Sequence, residues 1–322
     1  MTDDVAAPPL YAAVDCGSNS TRLLIAGVDG HRVHAVSRDT RITRLGAGVD
    51  ATGQLDAAAI DRVITTLAGY AQRWRDAGVR DVAITATSAV RDAANAEQFA
   101  GAVRAVAGST PVVLSGRREA ELTFAGATAG RAGRHVVCDI GGGSTELVVG
   151  DGHADRWVSL QLGSVRLRER HLRNDPPSAQ EYAALIADID ALLTAQPDDF
   201  CAHGADRLVA VAGTPLTVAA VARGSADPDV DVVDGAVLSV AELAQVIEDL
   251  AWLPAAERRV HPPIVPGRED VIVAGALLLH RVTLRFGFDT VEVRVADLLD
   301  GIVSRVAADA WPPAEPIGSA CA

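Results

Sequence analysis

The chain has 322 residues, 49% hydrophobic but only 4% aromatic, with a formal charge of −13. At about 150 residues per domain this suggests two domains with aliphatic cores, as when helices cover buried parallel strands. The acidic balance argues against a nucleic-acid or membrane binder, the longest apolar run (271–279) is too short to cross a bilayer, and no lysine exists to complete a Walker-type phosphate loop.

In chain order, 11–15 reads as a strand, then a Gly/Ser/Asn turn and a second strand at 23–28. Ile60, Val63, Ile64, Leu67, Ala71 and Trp74 recur at helical spacing behind Asp56, a capping residue. Strands at 82–86 and 112–114 and helices at 95–106 and 118–129 follow. After the Gly/Arg-rich stretch 130–134 the pattern restarts with a strand at 136–139, a glycine turn at 141–143 and a strand at 145–149. Ser178-Ala-Gln-Glu181 is a capping box opening a helix. A strand at 208–212 leads into a Gly-Thr turn, and helices are expected at 240–250, 270–285 and 296–310. The expected division is 1–131 and 132–310, with the last helix free to pack back on the first half and a disordered tail at 311–322. Residues 1–10 lack the basic start and apolar run of a signal peptide, so a cytoplasmic location is expected. Cys16, Cys138, Cys201 and Cys321 then read as free thiols.

The strongest signal is an internal repeat. Asp15-Cys-Gly-Ser-Asn-Ser-Thr-Arg-Leu23 and Asp139-Ile-Gly-Gly-Gly-Ser-Thr-Glu-Leu147 share Asp, Gly, Ser, Thr and Leu at identical offsets, 124 residues apart. An ordinary hairpin explains an Asp-Gly turn, but consecutive glycines followed by Ser-Thr also let backbone N–H groups converge on an anion. Two such hairpins (Gly17, Ser18, Asn19 and Ser20; Gly141, Gly142, Gly143, Ser144 and Thr145) facing each other would hold a phosphate chain without lysine. An acidic protein needs a divalent cation for such a ligand. Mg2+ is the expected one, because it bridges phosphates through one or two carboxylates plus waters. Asp15, Asp139 and Glu146 are the carboxylates placed for it.

Several segments together resemble the exopolyphosphatase / guanosine pentaphosphate phosphohydrolase (Ppx/GppA) family, within the actin / heat-shock chaperone / sugar-kinase superfamily. They include both repeats and residues 44–49, 86–93, 114–122, 162–167, 212–214, 268–272 and 297–302, in family order over nearly the whole chain. The resemblance implies an α/β fold of two actin-like (ribonuclease H-like) domains with the active site in the cleft between them. It implies that Glu119 is the base acting on the attacking water and that Arg22 and Arg91 line the cleft, where both, Arg91 as a catalytic group, would stabilise the equatorial oxygens of the transition state. Asn19, Ser20, Ser144 and Thr145 would add donors, and Gly213 and Thr214 would form a third glycine turn. A first-turn helix acid is the bland alternative for Glu119.

Three positions depart from the family pattern: Arg118, expected to depress the pKa of Glu119; Pro215; and Arg294-Val295. The basic run 166–173 reads either as a guide for polyphosphate or as a solvated helix face, with Arg166, Arg170 and Arg173 on one side. No His-Asp dinucleotide exists, so the extra metal-dependent phosphohydrolase domain of longer relatives is not expected. The expected activity is exopolyphosphatase, with guanosine pentaphosphate as the alternative substrate. A binding regulator with little catalysis is the reading from another class, and retention of Glu119, Asp139 and Glu146 argues against it. A kinase would need an acceptor pocket and an adenosine site for which no motif exists. The partners are thus small polyanions, with no nucleic acid or membrane, and the reading leaves room for a homodimer.

Overall fold

Both copies of the repeat follow a strand that is apolar on each face, and such a strand must be covered on both sides. In the computed structural model, which describes residues 8–311 except 31, 198–199, 201–203, 226–229 and 261–263, the chain forms two mixed sheets flanked by helices. Of the expected tail 311–322, Trp311 is described and is partly buried against the first half, while 312–322 and the thiols of Cys201 and Cys321 lie outside the described residues.

The first sheet contains β1 (Leu10–Cys16), β2 (Ser20–Asp29), β3 (Arg32–Ile42), β4 (Asp81–Ala86) and β5 (Val112–Val113), in the order β3-β2-β1-β4-β5. β1 runs antiparallel to β2 and parallel to β4. The edge strand β3 has no apolar run to announce it. Arg32, Arg38, Asp39 and Arg41 fall among its eleven residues, a charged edge that discourages pairing with another chain.

The helices of this half are α1 (Val49–Thr52), α2 (Ala57–Asp76), α3 (Ser88–Arg91), α4 (Ala96–Ala107) and α5 (Gly116–Ala127). Asp56 caps α2 as expected, accepting from the Ala59 N–H at 3.0 Å. The predicted stripe Ile60, Val63, Leu67, Ala71 and Trp74 is buried in the first core.

The second half holds β6 (Arg134–Ile140), β7 (Thr145–Asp151), β8 (Ala154–Leu160), α6 (Ser164–His171), α7 (Ala179–Thr194), β9 (Arg207–Val211) and α8 (Gly213–Ala222). It continues with α9 (Val230–Val233), β10 (Val237–Ser239), α10 (Val240–Ala251), α11 (Ala255–Val260), α12 (Ile272–Arg285), β11 (Thr290–Val293) and α13 (Leu298–Ala307). The sheet order is β10-β11-β9-β6-β7-β8. Without the edge strand β10, it repeats the first sheet in third-second-first-fourth-fifth order. Two copies of this mixed sheet make the actin-like, ribonuclease H-like fold expected from the sequence. The capping box at α7 is present, Ser178 accepting from the Glu181 N–H while the Glu181 carboxylate accepts from the Ser178 N–H. Glycine and Thr214, read as a turn after β9, instead begin α8.

α13 belongs to the second half by sequence but packs on the first sheet. Leu298, Leu299, Ile302, Val303 and Val306 join Tyr11, Ala13, Leu24 and Ala83 in one cluster, which also takes Leu122 of α5. The opposite side of α5, Ala120, Phe124 and Ala127, packs on Val137 and Val148 of the second sheet. α5 and α13 touch backbone to backbone, because a Cβ at Gly126 would run into the Asp297 carbonyl and one at Gly301 into the Leu122 carbonyl. Gly126→Ala is therefore expected to cost about 1–3 kcal/mol through overpacking, read as a lower urea midpoint at unchanged m-value.

Candidate active site

β1 and β4 are parallel neighbours in one sheet, β6 and β9 in the other. The turns after their C-terminal ends, 17–20, 87–88, 141–144 and 212–214, line a single cleft of about 570 Å³ including its open mouth. Ligands collect beyond the carboxyl ends of parallel strands in open α/β sheets. The two repeats close identically: Gly17 N–H donates to Ser20 O and Gly141 N–H to Ser144 O, each at 3.0 Å. Close approach between the hairpins explains the glycines of the second. A Cβ at Gly142 would stand 3.0 Å from Asn19 N, and one at Gly143 would stand 2.9 Å from Ser18 Oγ. Asp15 Oδ1, Asn19 Oδ1, Ser88 Oγ and Thr145 Oγ1 are buried with no hydrogen-bond partner among the described residues. Buried polar atoms left unpaired at one place mark where a ligand or water completes the site.

The duplication is broken at one charged position. Across the strand pair Asp15 faces Arg22, and across the equivalent pair Asp139 faces Glu146. The first pair neutralises itself, with Arg22 Nη2 2.9 Å from Asp15 Oδ2 and Arg22 also held by Asp297. The second pair is two buried carboxylates. Both accept from hydroxyls: Thr123 Oγ1 donates to Asp139 Oδ2 at 3.2 Å and Ser159 Oγ to Glu146 Oε1 at 2.7 Å, and the Ser144 side chain also bonds Glu146.

Glu119 joins them from the first turn of α5. It does not cap the helix, since Ser115 does that. Its Oε2 accepts from Arg91 Nη1 at 3.1 Å, and Arg91 also donates to Leu114 O at 2.7 Å. Burial, then the charge of Glu146, raise the Glu119 carboxyl well above its ordinary range. The same two causes push Asp139 up to about 8, and burial raises Glu146. Arg91 sits beside Glu119 and Arg22 acts on Asp139, so the three carboxylates outnumber the arginines beside them. Among the described residues no group of three or more His, Cys, Asp or Glu side chains is placed to hold an ion by itself. Two hard carboxylates completed by waters and phosphate oxygens are nonetheless a donor set that suits a divalent cation such as Mg2+.

The Ppx/GppA phosphatase family model matches residues 24–307. The chain belongs to the Ppx/GppA phosphatase family. It is 38% identical to exopolyphosphatase 2 of Mycobacterium tuberculosis over 316 residues, covering 92% of this chain and 98% of that one. The crystal structure of an exopolyphosphatase-like protein superimposes with a TM-score of 0.89 at 35% identity, over 94% of this chain and 98% of that chain. The guanosine-5'-triphosphate,3'-diphosphate pyrophosphatase of Pseudoalteromonas atlantica is 34% identical over 223 residues, 68% of this chain but only 44% of that protein.

In this Ppx/GppA phosphatase the cleft is lined by Asp15, Gly17, Ser18, Asn19, Ser20, Arg22, Glu119, Asp139, Gly141, Gly142, Gly143, Ser144, Gly213 and Thr214. Thr145 and Glu146 are buried and not among the lining residues, and Arg91 is tied to the cleft through Glu119. Sequence reasoning missed Thr87, Ser88, Ser164, Leu298 and above all Arg268 as lining residues. The Arg268 guanidinium is buried against Gly213; burial, then the charge of Arg22, push its pKa down to about 10. The only sequence signal for it was its place in the 268–272 segment.

The three departures from the family pattern resolve structurally. Pro215 sits in the first turn of α8, where a missing N–H breaks no helix bond. Arg294 pairs with Asp234 at 2.9 Å and is not among the lining residues. Arg118 lies 3.9 Å from Glu121 and does not depress Glu119, whose carboxyl is raised by burial. Of the basic run, Arg166 and Arg170 are helical but face Asp50, and Arg173 lies past the end of α6. Arg166 and Arg170 are thus paired with acids of the first half, while Arg173 is solvent-exposed.

Proposed function

We propose that this chain is an exopolyphosphatase that hydrolyses the terminal phosphoanhydride of inorganic polyphosphate, with Asp139 and Glu146 holding Mg2+. The observation carrying this is the Asp139–Glu146 pair, set beside a glycine hairpin at the place where the first repeat carries a self-neutralised Asp15–Arg22 pair. The backbone donors of the two hairpins and the guanidinium groups of Arg22 and Arg268 bind the phosphate oxygens. Glu119 orients a water in line with the terminal phosphorus and accepts its proton. The new P–O bond forms as the anhydride P–O bond breaks, releasing orthophosphate and a chain one unit shorter. When bound, the cation neutralises charge on the phosphate oxygens.

Inorganic polyphosphate is favoured over guanosine pentaphosphate because no aromatic side chain among the described residues lines the cleft to offer a nucleobase a stacking surface. The likeness to guanosine pentaphosphate pyrophosphatases keeps that substrate as the second reading. Phosphate release from long polyphosphate and from guanosine pentaphosphate, with and without Mg2+, decides between them. Release from neither would end both. The net charge of −13 and the buried thiols Cys16 and Cys138, placed without a disulfide, support a cytoplasmic enzyme acting on a small polyanion. No helix among the described residues is long and apolar enough to cross a membrane.

Arg268→Ala is expected to lower kcat/KM by about 10–100-fold, the scale of one lost charge-assisted hydrogen bond of about 1.5–3 kcal/mol. Its melting temperature should hold or rise, since the variant removes a buried charge that lacks a carboxylate partner among the described residues. Unchanged kinetics would remove Arg268 from the phosphate site.

A further inference from the structure

The second glycine hairpin owes its shape to the start of α6. Ser164 N–H donates to Gly141 O at 3.0 Å, Val165 N–H to Gly142 O at 2.9 Å, and Arg166 Nε to Gly143 O at 2.7 Å. In a planar trans peptide the N–H of the next residue points opposite to the carbonyl. Tying down the carbonyls of Gly141, Gly142 and Gly143 therefore turns the N–H groups of Gly142, Gly143 and Ser144 away from α6. α6 packs directly on this backbone, since a Cβ at Gly163 would overlap the Gly142 carbonyl.

The same Arg166 side chain crosses to the other half of the molecule. Its guanidinium pairs with Asp50 of α1 and, at 2.8 Å, with Asp92 at the end of α3. Arg170 shares Asp50 at 2.7 Å, and the Gly48 N–H donates to Glu169 at 3.1 Å. The loop that carries Asp50 is bonded in turn to the first hairpin: Gly46 N–H donates to Ser18 O at 2.8 Å, and Arg44 N–H to Asn19 O at 2.9 Å. One guanidinium thus touches the second phosphate hairpin directly and reaches the first through a loop held to it.

We infer that Arg166 is a positioning residue that sets the spacing and aim of the two glycine hairpins, by linking Gly143 to the Asp50 and Asp92 carboxylates of the opposite half. This rests on the reading of the hairpins as the phosphate site. Its function is to raise affinity for phosphate groups. Lysine cannot replace it fully, because only a planar fork offers Nε to a carbonyl and both terminal nitrogens to separate carboxylates.

The test uses the full chain carrying Arg166→Ala, Arg166→Lys, Asp50→Asn with Asp92→Asn, and Arg166→Ala combined with both asparagines. Orthophosphate binding by calorimetry and steady-state kinetics on polyphosphate are measured with Mg2+, alongside melting temperature. Arg166→Ala is expected to weaken orthophosphate binding and raise KM by about 10-fold, with kcat falling by less than about 3-fold, as for lost binding rather than lost chemistry. Arg166→Lys should recover part of the loss. The asparagine pair keeps the Gly143 bond but loses the charge link, so it should weaken binding to a similar degree. Adding Arg166→Ala to it should then change little, because residues in one network are not additive. Unchanged binding in Arg166→Ala, or effects that multiply between Arg166→Ala and the asparagine pair, would overturn the inference. Should Arg166→Ala fail to fold, Arg166→Lys and the asparagine pair give the same comparison. Orthophosphate binding requires no turnover, so wild-type protein that binds orthophosphate but cleaves no polyphosphate would refute the proposed function while leaving Arg166 to be judged on binding alone.

Discussion

Glu119→Gln is expected to lower turnover by about 100-fold or more, the scale of a positioned acid–base group, while leaving KM unchanged or lower. The carboxylate sits at the cleft, held by Arg91 at 3.1 Å, and Ser115 rather than Glu119 caps α5. Glutamine keeps the volume and one acceptor for Arg91 but removes the basic oxygen. It also removes a negative charge facing a polyanion, which is why affinity should hold or improve. A helix-dipole role predicts the reverse: near-normal turnover with a stability loss under about 1 kcal/mol. Steady-state kinetics and a melting curve on this single variant separate the two. Wild-type turnover would remove Glu119 from the chemistry without touching the family assignment.

Glu146→Gln carries the second large effect. Glu146 is 1% exposed, faces Asp139 across the strand pair and has one oxygen held by Ser159 at 2.7 Å. Glutamine preserves the shape and can still accept from Ser159, yet leaves Asp139 as the single carboxylate of the pair. Half-saturation for Mg2+ is expected to rise by about 10-fold or more, since even weaker perturbations around metal ligands cost about 10–100-fold. Stability should move with opposite signs in the two conditions. Without metal, the variant should melt at the wild-type temperature or above it, because an uncompensated buried charge has gone. With saturating Mg2+, wild type should gain stability by mass action and the variant should gain much less. Equal Mg2+ response in wild type and Glu146→Gln would exclude Glu146 as a ligand.

The local and repeated features of the molecule were legible in the sequence. Asp56 caps α2, Ser178 and Glu181 close their box, and the apolar stripe of α2 is buried where its spacing placed it. The hairpins at Gly17 and Gly141 and the carboxylates Asp15, Asp139 and Glu146 could be singled out because one short motif occurs twice along the chain. Each of these signals depends on residues within a few positions of one another, so periodicity and turn chemistry report them directly.

What the tertiary structure decided involves partners far apart in sequence. Arg22 and Glu146 hold equivalent sites in the repeat, but only the Asp297 and Asp15 contacts show that one pair is neutralised and the other is not. Arg268 and Ser88 reach the cleft from segments with no phosphate motif, and Arg166 turns from a presumed surface charge into a link between halves. The edge strands β3 and β8 escaped notice because one face of each meets solvent and carries charge rather than an apolar run. α13 packs on the first sheet because Gly126 and Gly301 let two backbones touch, a complementarity that exists only once both helices are in place. Burial and charge pairing are properties of neighbours in space, and a linear pattern specifies them only where space and sequence coincide.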